Sequence, residues 1–365
     1  MRKRFVMLSA LLLGLAASTP PPPDLHWTAP QIEQLTKWLR AAPQEGLVLG
    51  SDAGLTEAVR SGDTQRVDRT LTAVSLNLAR AHLLGSSKAQ WKIGASDQAI
   101  DLPALLRAAH ARDDLDGFFA SLRPRHPHYE VLRLALAAET DPARRTTLIR
   151  NLERWRWMPL DLGQRYLLVN AAGFELALWE NGRAAERWRV IVGKPKTPTP
   201  VFAATVSAVT LNPWWEIPPS IVRELRGRLS SSRGYVRSGG RWRQRPGPNN
   251  ALGQMKLVMP NPYNVYLHDT PSKPLFEQPV RAFSHGCIRV DRALTLAAQL
   301  VGRSLDAEVA HGATVSLPLA DPLPVYVTYF TVDVSAEGTV EFHDDIYDRD
   351  KHIAPGGISS GSCET

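Results

Sequence analysis

Seven consecutive residues, Ser284-His285-Gly286-Cys287-Ile288-Arg289-Val290, set one of the chain's two cysteines beside a glycine, with a further histidine, His268, a short loop upstream. A thiol becomes a nucleophile when a base or a positive environment yields its thiolate, and one imidazole can hold that proton and pass it to a leaving amine. A Cys-Gly corner also leaves backbone N–H groups free to face a developing oxyanion. Gly286 lets the chain approach closely, so the N–H groups of Gly286 and Cys287 are the expected donors. These types allow acyl transfer through a thioester, with Cys287 attacking and His268 moving the proton. Zinc ligands usually come in tight pairs such as CxxC or HxxxH, which the sequence lacks, so no metal and no cofactor is expected.

The surrounding residues tie this chemistry to a family. Tyr263-Asn264-Val265-Tyr266-Leu267-His268-Asp269-Thr270, then Phe276, Arg281 and Phe283 through Val290, resemble the L,D-transpeptidase family with its YkuD-type catalytic domain. Its signature is a His, a loop, then Ser/Thr-His-Gly-Cys, a hydrophobic residue and Arg or Asn, and every position is filled. Pro246-Gly247-Pro248, Asn250 to Gly253, Lys256 and Pro260-Asn261 are similar to the segment before the catalytic His. Asn151 to Pro159 resembles the start of the catalytic domain in the large periplasmic subgroup that carries a helical scaffold.

The resemblance implies Cys287, His268 and Gly286 as catalytic residues, with Ser284, His285, Asp269, Tyr266 and Arg289 binding substrate or supporting the site. Either the Asp269 carbonyl or, in the style of a triad, its carboxylate would orient His268. Arg289 would support the site or bind a substrate carboxylate with its planar fork. His285 is expected to be structural or substrate-positioning, and Tyr266 to pack in the core rather than line the cleft. The implied activity is 3→3 cross-linking of peptidoglycan stem peptides, a donor tetrapeptide being joined to an acceptor amine. Water as acceptor would give an L,D-carboxypeptidase, and a protein amine a protein-to-peptidoglycan transferase. A catalytically silent wall-binding scaffold is the reading from another class; the intact Cys287 and His268 argue against it.

Hydrophobic residues make up 44% of the 365, which with ten tryptophans indicates a globular chain of about two domains. Arg2-Lys3-Arg4, the apolar run Phe5 to Leu15 and the small residues Ala16-Ala17-Ser18 read as a signal peptide over 1–18. A Pro-rich spacer over 19–27 follows. The expected location is the periplasm or cell envelope, and an uncleaved signal would be the only membrane link. A Cys287–Cys363 disulfide would block the nucleophile, so both thiols are expected free. The net charge of +7 suits an anionic partner. Export disfavours nucleic acid, and peptidoglycan with its free stem carboxylates fits better. Oligomeric state is not legible.

The expected fold class is α+β: a helical scaffold over 28–158, then a mostly-β, YkuD-like sandwich over 159–318. Short β-rich runs such as Arg165–Asn170 and Met255–Met259 alternate with turn signals, Asn181-Gly182 among them. An Arg-rich insertion, 217–253, is expected to form a lid. A helix over Asp291–Leu300, capped by Asp291 and ended by Gly302, would place Cys287 just before its N-terminus, where the dipole favours the thiolate. Residues 319–365 are read as a C-terminal strand segment with a flexible tail, and the acidic run Asp344 to Asp350 as a solvated turn.

Overall fold

The computed structural model describes residues 25–47, 53–87, 96–225 and 228–354, together with 89, 91 and 93. The expected signal peptide, most of the spacer and Cys363 lie outside the described residues. The N-terminal part is helical: α1 (Ala29–Ala41), α2 (Ala53–Ser61), α3 (Thr64–Leu84), α4 (Leu102–Ala111), α5 (Leu115–Ser121), α6 (Pro127–Ala138) and α7 (Pro142–Arg156). Aspartates fix where four of these begin. Asp63, Asp101, Asp114 and Asp141 each accept the N–H three residues on, satisfying a donor the helix leaves open.

Two cores result, and they divide before residue 158. Leu35, Trp38, Leu78, Leu106 and Phe119 bury together among α1, α3, α4 and α5. Helices α6 and α7 instead turn Tyr129, Leu132, Leu152 and Trp155 into the core of the β domain, where Trp155 stacks on Phe330. A polar joint links the halves. Arg156 donates to the Glu45 carbonyl at 2.5 Å and to the Tyr129 hydroxyl at 2.9 Å. Burial alone would raise the Glu45 carboxyl, but His82 and Arg123 bring it down to about 2. His82, His126 and His128 are buried packing residues.

The β domain opens with β1 (Arg165–Asn170), β2 (Glu175–Glu180), β3 (Arg183–Gly193) and β4 (Phe202–Leu211). Asn181 and Gly182 both adopt positive φ, giving the tight turn that joins β2 to β3. Next comes β5 (Trp215–Glu216) and then, within the insertion 217–253 expected to form a lid, α8 (Pro219–Leu225), β6 (Tyr235–Ser238) and β7 (Arg241–Gln244); the three strands form their own sheet in the order β5-β7-β6. The main sheet resumes with β8 (Met255–Val258), β9 (Leu267–His268), β10 (Ala282–Ser284) and β11 (Ile288–Val290). After α9 (Ala293–Val301) and α10 (Asp306–His311) comes the long strand β12 (Val315–Thr328), then the hairpin β13 (Val332–Val334) and β14 (Val340–Phe342). The expected sandwich is a single ladder, β3-β11-β9-β8-β4-β12-β1-β2, with β10 beside β3 and β2 pairing back onto β3 to close it. Strand β12 runs through residue 318, so the catalytic sheet extends beyond the expected domain end.

Three local expectations are corrected. Helix α9 begins at Ala293, after Arg292 in a left-handed conformation; Asp291 accepts the Arg292 N–H and pairs with Arg189 instead of capping. Strand β11 therefore separates Cys287 from the helix, and the dipole falls off too fast to act on the thiol. The acidic run is not simply solvated: Asp350 pairs with buried Arg154 at 2.7 Å, and Asp345 accepts from Tyr329 and two backbone N–H groups. Among the described residues no helix is long and apolar enough to cross a membrane.

Candidate active site

Strand alternation assembles the site. Met255 and Leu257 on β8, Leu267 on β9, and Ile288 and Val290 on β11 are fully buried, facing the core. Their neighbours must then face the other way, toward the lid. Register puts Lys256 opposite His268, and His268 opposite Arg289, in one row across three strands. One step away on the same face lie Tyr266 and Cys287, the Ile288 N–H donating to the Tyr266 carbonyl at 3.0 Å. The Tyr266 ring meets His268 edge-on at 5.6 Å and carries the Lys256 ammonium over its face at 5.0 Å. Tyr266 thus packs against the main core, as expected, and also against Ile217 and Leu252 of the neighbouring cluster.

Hydrogen bonding fixes the histidine. His268 Nδ1 lies 2.5 Å from the Asp269 carbonyl oxygen, which can only accept, so Nδ1 carries the proton and Nε2 keeps its lone pair. The Asp269 carboxylate is engaged elsewhere, by Lys273 and by the Gln254 N–H, so of the two orienting groups it is the carbonyl that holds the ring. A Cβ at Gly253 would collide with that carboxylate, which explains a glycine there.

The site holds uncompensated positive charge. Burial, then the charge of Arg289, holds His268 down at about 3. Burial also pushes the Cys287 thiol up, while hydrogen bonds from Tyr266 and the charges of Arg289 and Lys256 pull it back. Both shifts favour neutral imidazole and neutral thiol over the ion pair, in the opposite sense to the helix-dipole expectation. Burial lowers Arg289 as well; its Nε is buried without a hydrogen-bond partner, and no carboxylate pairs with it among the described residues. Replacing Arg289 with Met is therefore expected to raise stability by about 1 kcal/mol, since the half-buried guanidinium leaves its Nε–H desolvated and unpaired. The same change should slow alkylation of Cys287 at neutral pH by roughly tenfold, because the Arg289 charge favours the thiolate. Thermal denaturation and iodoacetamide labelling check both, and a faster-alkylating variant would refute the electrostatic role.

The nucleophile turn is clamped by Ser284. Its buried hydroxyl donates to the Cys287 carbonyl at 2.5 Å and accepts the Gly286 N–H at 3.0 Å. The expected pair of free oxyanion donors is thereby corrected: the Gly286 N–H is taken, leaving that of Cys287. Gly286 sits at φ +111, where a side chain would be strained, and its carbonyl accepts from Thr199 at 3.0 Å. His285 reaches outward, its Nε2 2.7 Å from the Glu224 carboxylate on α8. Cys287 Sγ lies 4.0 Å from the Asn264 carbonyl.

Residues 164–326 match the YkuD family, described as the L,D-transpeptidase catalytic domain, and residues 23–136 match the Scaffold domain family. The two matches lie in the order Scaffold, then YkuD, along the chain. A curated protein of Haemophilus influenzae named "Putative L,D-transpeptidase" is 29% identical over 221 residues, which are 51% of this chain and 45% of that protein. The chain thus spans under half the length of this relative. Among solved structures, an L,D-transpeptidase from Mycobacterium smegmatis is 17% identical, with TM-score 0.26, over 45% of this chain and 58% of its own. The C442S mutant of an Enterococcus faecium L,D-transpeptidase is 17% identical, with TM-score 0.25, over 47% and 52%.

Within the L,D-transpeptidase domain the register adds residues that motif reading passed over. Lys256 was visible only as part of a flanking segment, although its place between Met255 and Leu257 already signals a residue facing away from the core. Trp215, which packs with Tyr266, comes from β5 and Glu224 from α8, and no local pattern marks either. Among the described residues no group of three His, Cys, Asp or Glu side chains is placed to share a metal ion.

Proposed function

We propose that the protein is an exported L,D-transpeptidase that makes 3→3 cross-links between peptidoglycan stem peptides through a thioester on Cys287. The observation that carries this reading is the row Lys256–His268–Arg289 beside Cys287, with His268 Nδ1 committed to the Asp269 carbonyl and Nε2 left as a base. Because imidazolium and thiolate are each disfavoured alone, they form together. As Cys287 Sγ attacks the amide carbonyl between the third and fourth residues of a donor tetrapeptide, its proton passes to His268 Nε2. The Cys287 N–H faces the developing oxyanion, and Arg289 and Lys256 favour the sulfur's negative charge. The C–N bond breaks, the terminal D-amino acid leaves with the proton from His268, and a thioester remains. An acceptor side-chain amine then attacks, its proton returns through His268 to sulfur, and the C–S bond breaks.

The test is mass spectrometry of disaccharide-tetrapeptide incubated with the protein and with a Cys287→Ala control. The expected product is a Cys287-dependent dimer lacking one terminal D-amino acid. Tripeptide without dimer would assign hydrolysis instead, and unchanged substrate, with whole sacculi also unaltered, would refute the enzyme reading.

A further inference from the structure

The chain's entire net charge of +7 is matched by its lid. Residues 217–253 hold eight arginines, at 223, 226, 228, 233, 237, 241, 243 and 245, against one acidic residue, Glu224. The remainder of the chain is therefore balanced. Within the β domain outside this segment most surface arginines are paired: Arg165 with Glu180, Arg187 with Glu175, Arg189 with Glu277 and Asp291, Arg292 with Glu186, Arg303 with Glu308, Arg183 being an exposed exception. On this segment, among the described residues, Arg243 is the arginine with an ion pair, to Glu216. Arg223, Arg228, Arg233, Arg237, Arg241 and Arg245 are exposed and have no carboxylate partner among the described residues.

The hairpin that carries the patch is anchored beside the site. Tyr235 and Trp242 pack inward from β6 and β7 with Trp215, Ile217, Leu252 and Tyr266, and Tyr266 stands beside Cys287 across β9 and β11. Glu224, the lid's acidic side chain, faces His285 instead of neutralising the arginines. Cross-strand pairing sets Arg241 opposite Ser238 and Arg237 opposite Trp242, at the end of the hairpin remote from β5. Guanidinium groups left unpaired in this way retain their forks for carboxylates supplied by a partner.

We propose that the lid is an electrostatic docking surface for a polymer bearing many peptide carboxylates, and that it delivers that polymer to Cys287. This deepens the proposed function and rests on it for the polymer's identity, peptidoglycan with its free stem carboxylates. An anionic membrane is the other source of such charge. A membrane seated on the lid would cover the approach to Cys287, whereas a polymer seated there is carried past it. Dense surface charge raises the local concentration of an oppositely charged partner and loses that effect in salt.

The test is co-sedimentation with purified sacculi, in the Cys287→Ala background so that binding is read without chemistry. The unaltered lid should bind at about 50 mM NaCl and lose most binding by about 500 mM, where the Debye length has shrunk about threefold. Arg237→Glu/Arg241→Glu should bind roughly tenfold less at low salt, as should sacculi whose carboxylates have been amidated. With Cys287 restored, the double variant should keep its Cys287 alkylation rate and its thermal transition. Equal binding by the double variant, or equal binding to amidated sacculi, would overturn the proposal. So would tighter binding to phosphatidylglycerol vesicles than to sacculi, which would assign the patch to a membrane. Arginine-dependent binding while the protein with Cys287 intact alters neither tetrapeptide nor sacculi would leave the docking surface standing and remove the transpeptidase reading.

Discussion

Cys287→Ser is expected to abolish thioester formation, with turnover reduced at least about a thousandfold, while the protein remains folded. The loss follows from how little ionising power the resting site has. Burial already pushes the thiol up, and His268, held at about 3, is a weak base for it. A serine hydroxyl, far less acidic than a thiol, lies beyond what that pair and the Arg289 and Lys256 charges can activate. The fold should not notice the change. The Ser284 clamp grips the Cys287 carbonyl and the Gly286 N–H, not the sulfur, and the contact at Asn264 is a long one. Intact-protein mass spectrometry after incubation with donor tetrapeptide should show an acyl adduct on the unaltered protein and none on the variant, with superimposable thermal transitions. A serine variant retaining turnover within tenfold would move the nucleophile elsewhere.

Much of this was legible in the sequence because it is local. The Asn181-Gly182 pair specifies its own turn, and the β-rich runs at Arg165–Asn170 and Met255–Met259 became β1 and β8 almost at the expected limits. The two residues placed at the centre of the chemistry, Cys287 and His268, stand one register step apart because β9 and β11 pair side by side. What the sequence withheld depends on which strand meets which. Nothing local says that β8 lies beside β9, so Lys256 could not be placed in the row with His268 and Arg289. Thiol ionisation was read from chain proximity to a helix, and β11 intervenes. Gly286 looked like an oxyanion donor because its freedom was visible while the hydroxyl two residues earlier, which takes its N–H, was read only as part of a motif. Helical periodicity likewise shows that α6 and α7 have an apolar face, not that the core of the β domain receives it.

His268→Gln should lower turnover by about a hundredfold to ten-thousandfold at neutral pH and change the shape of the pH profile as well as its height. The glutamine amide can still donate to the Asp269 carbonyl, so the turn is kept while the base is lost. In the unaltered protein the imidazole sits below its ordinary value, at about 3, and the thiol above its ordinary value. Between these limits the free site is neutral and proton transfer accompanies attack, so kcat/KM should be flat through neutrality, where an ordinary histidine would already titrate. Without His268 only molecules with a preformed thiolate react, and the rate should climb about tenfold per pH unit toward the thiol's raised pKa. The same depression sets the sign of a stability effect. From His268's ordinary value of 6.5 down to about 3 the unfolded chain takes up a proton that the folded site refuses. Stability should therefore be full above that window and fall as pH drops through it, by up to about 1.4 kcal/mol per pH unit from this group. The glutamine variant should lack that part of the slope. A variant profile parallel to that of the unaltered protein, or a loss under tenfold, would remove His268 as the base.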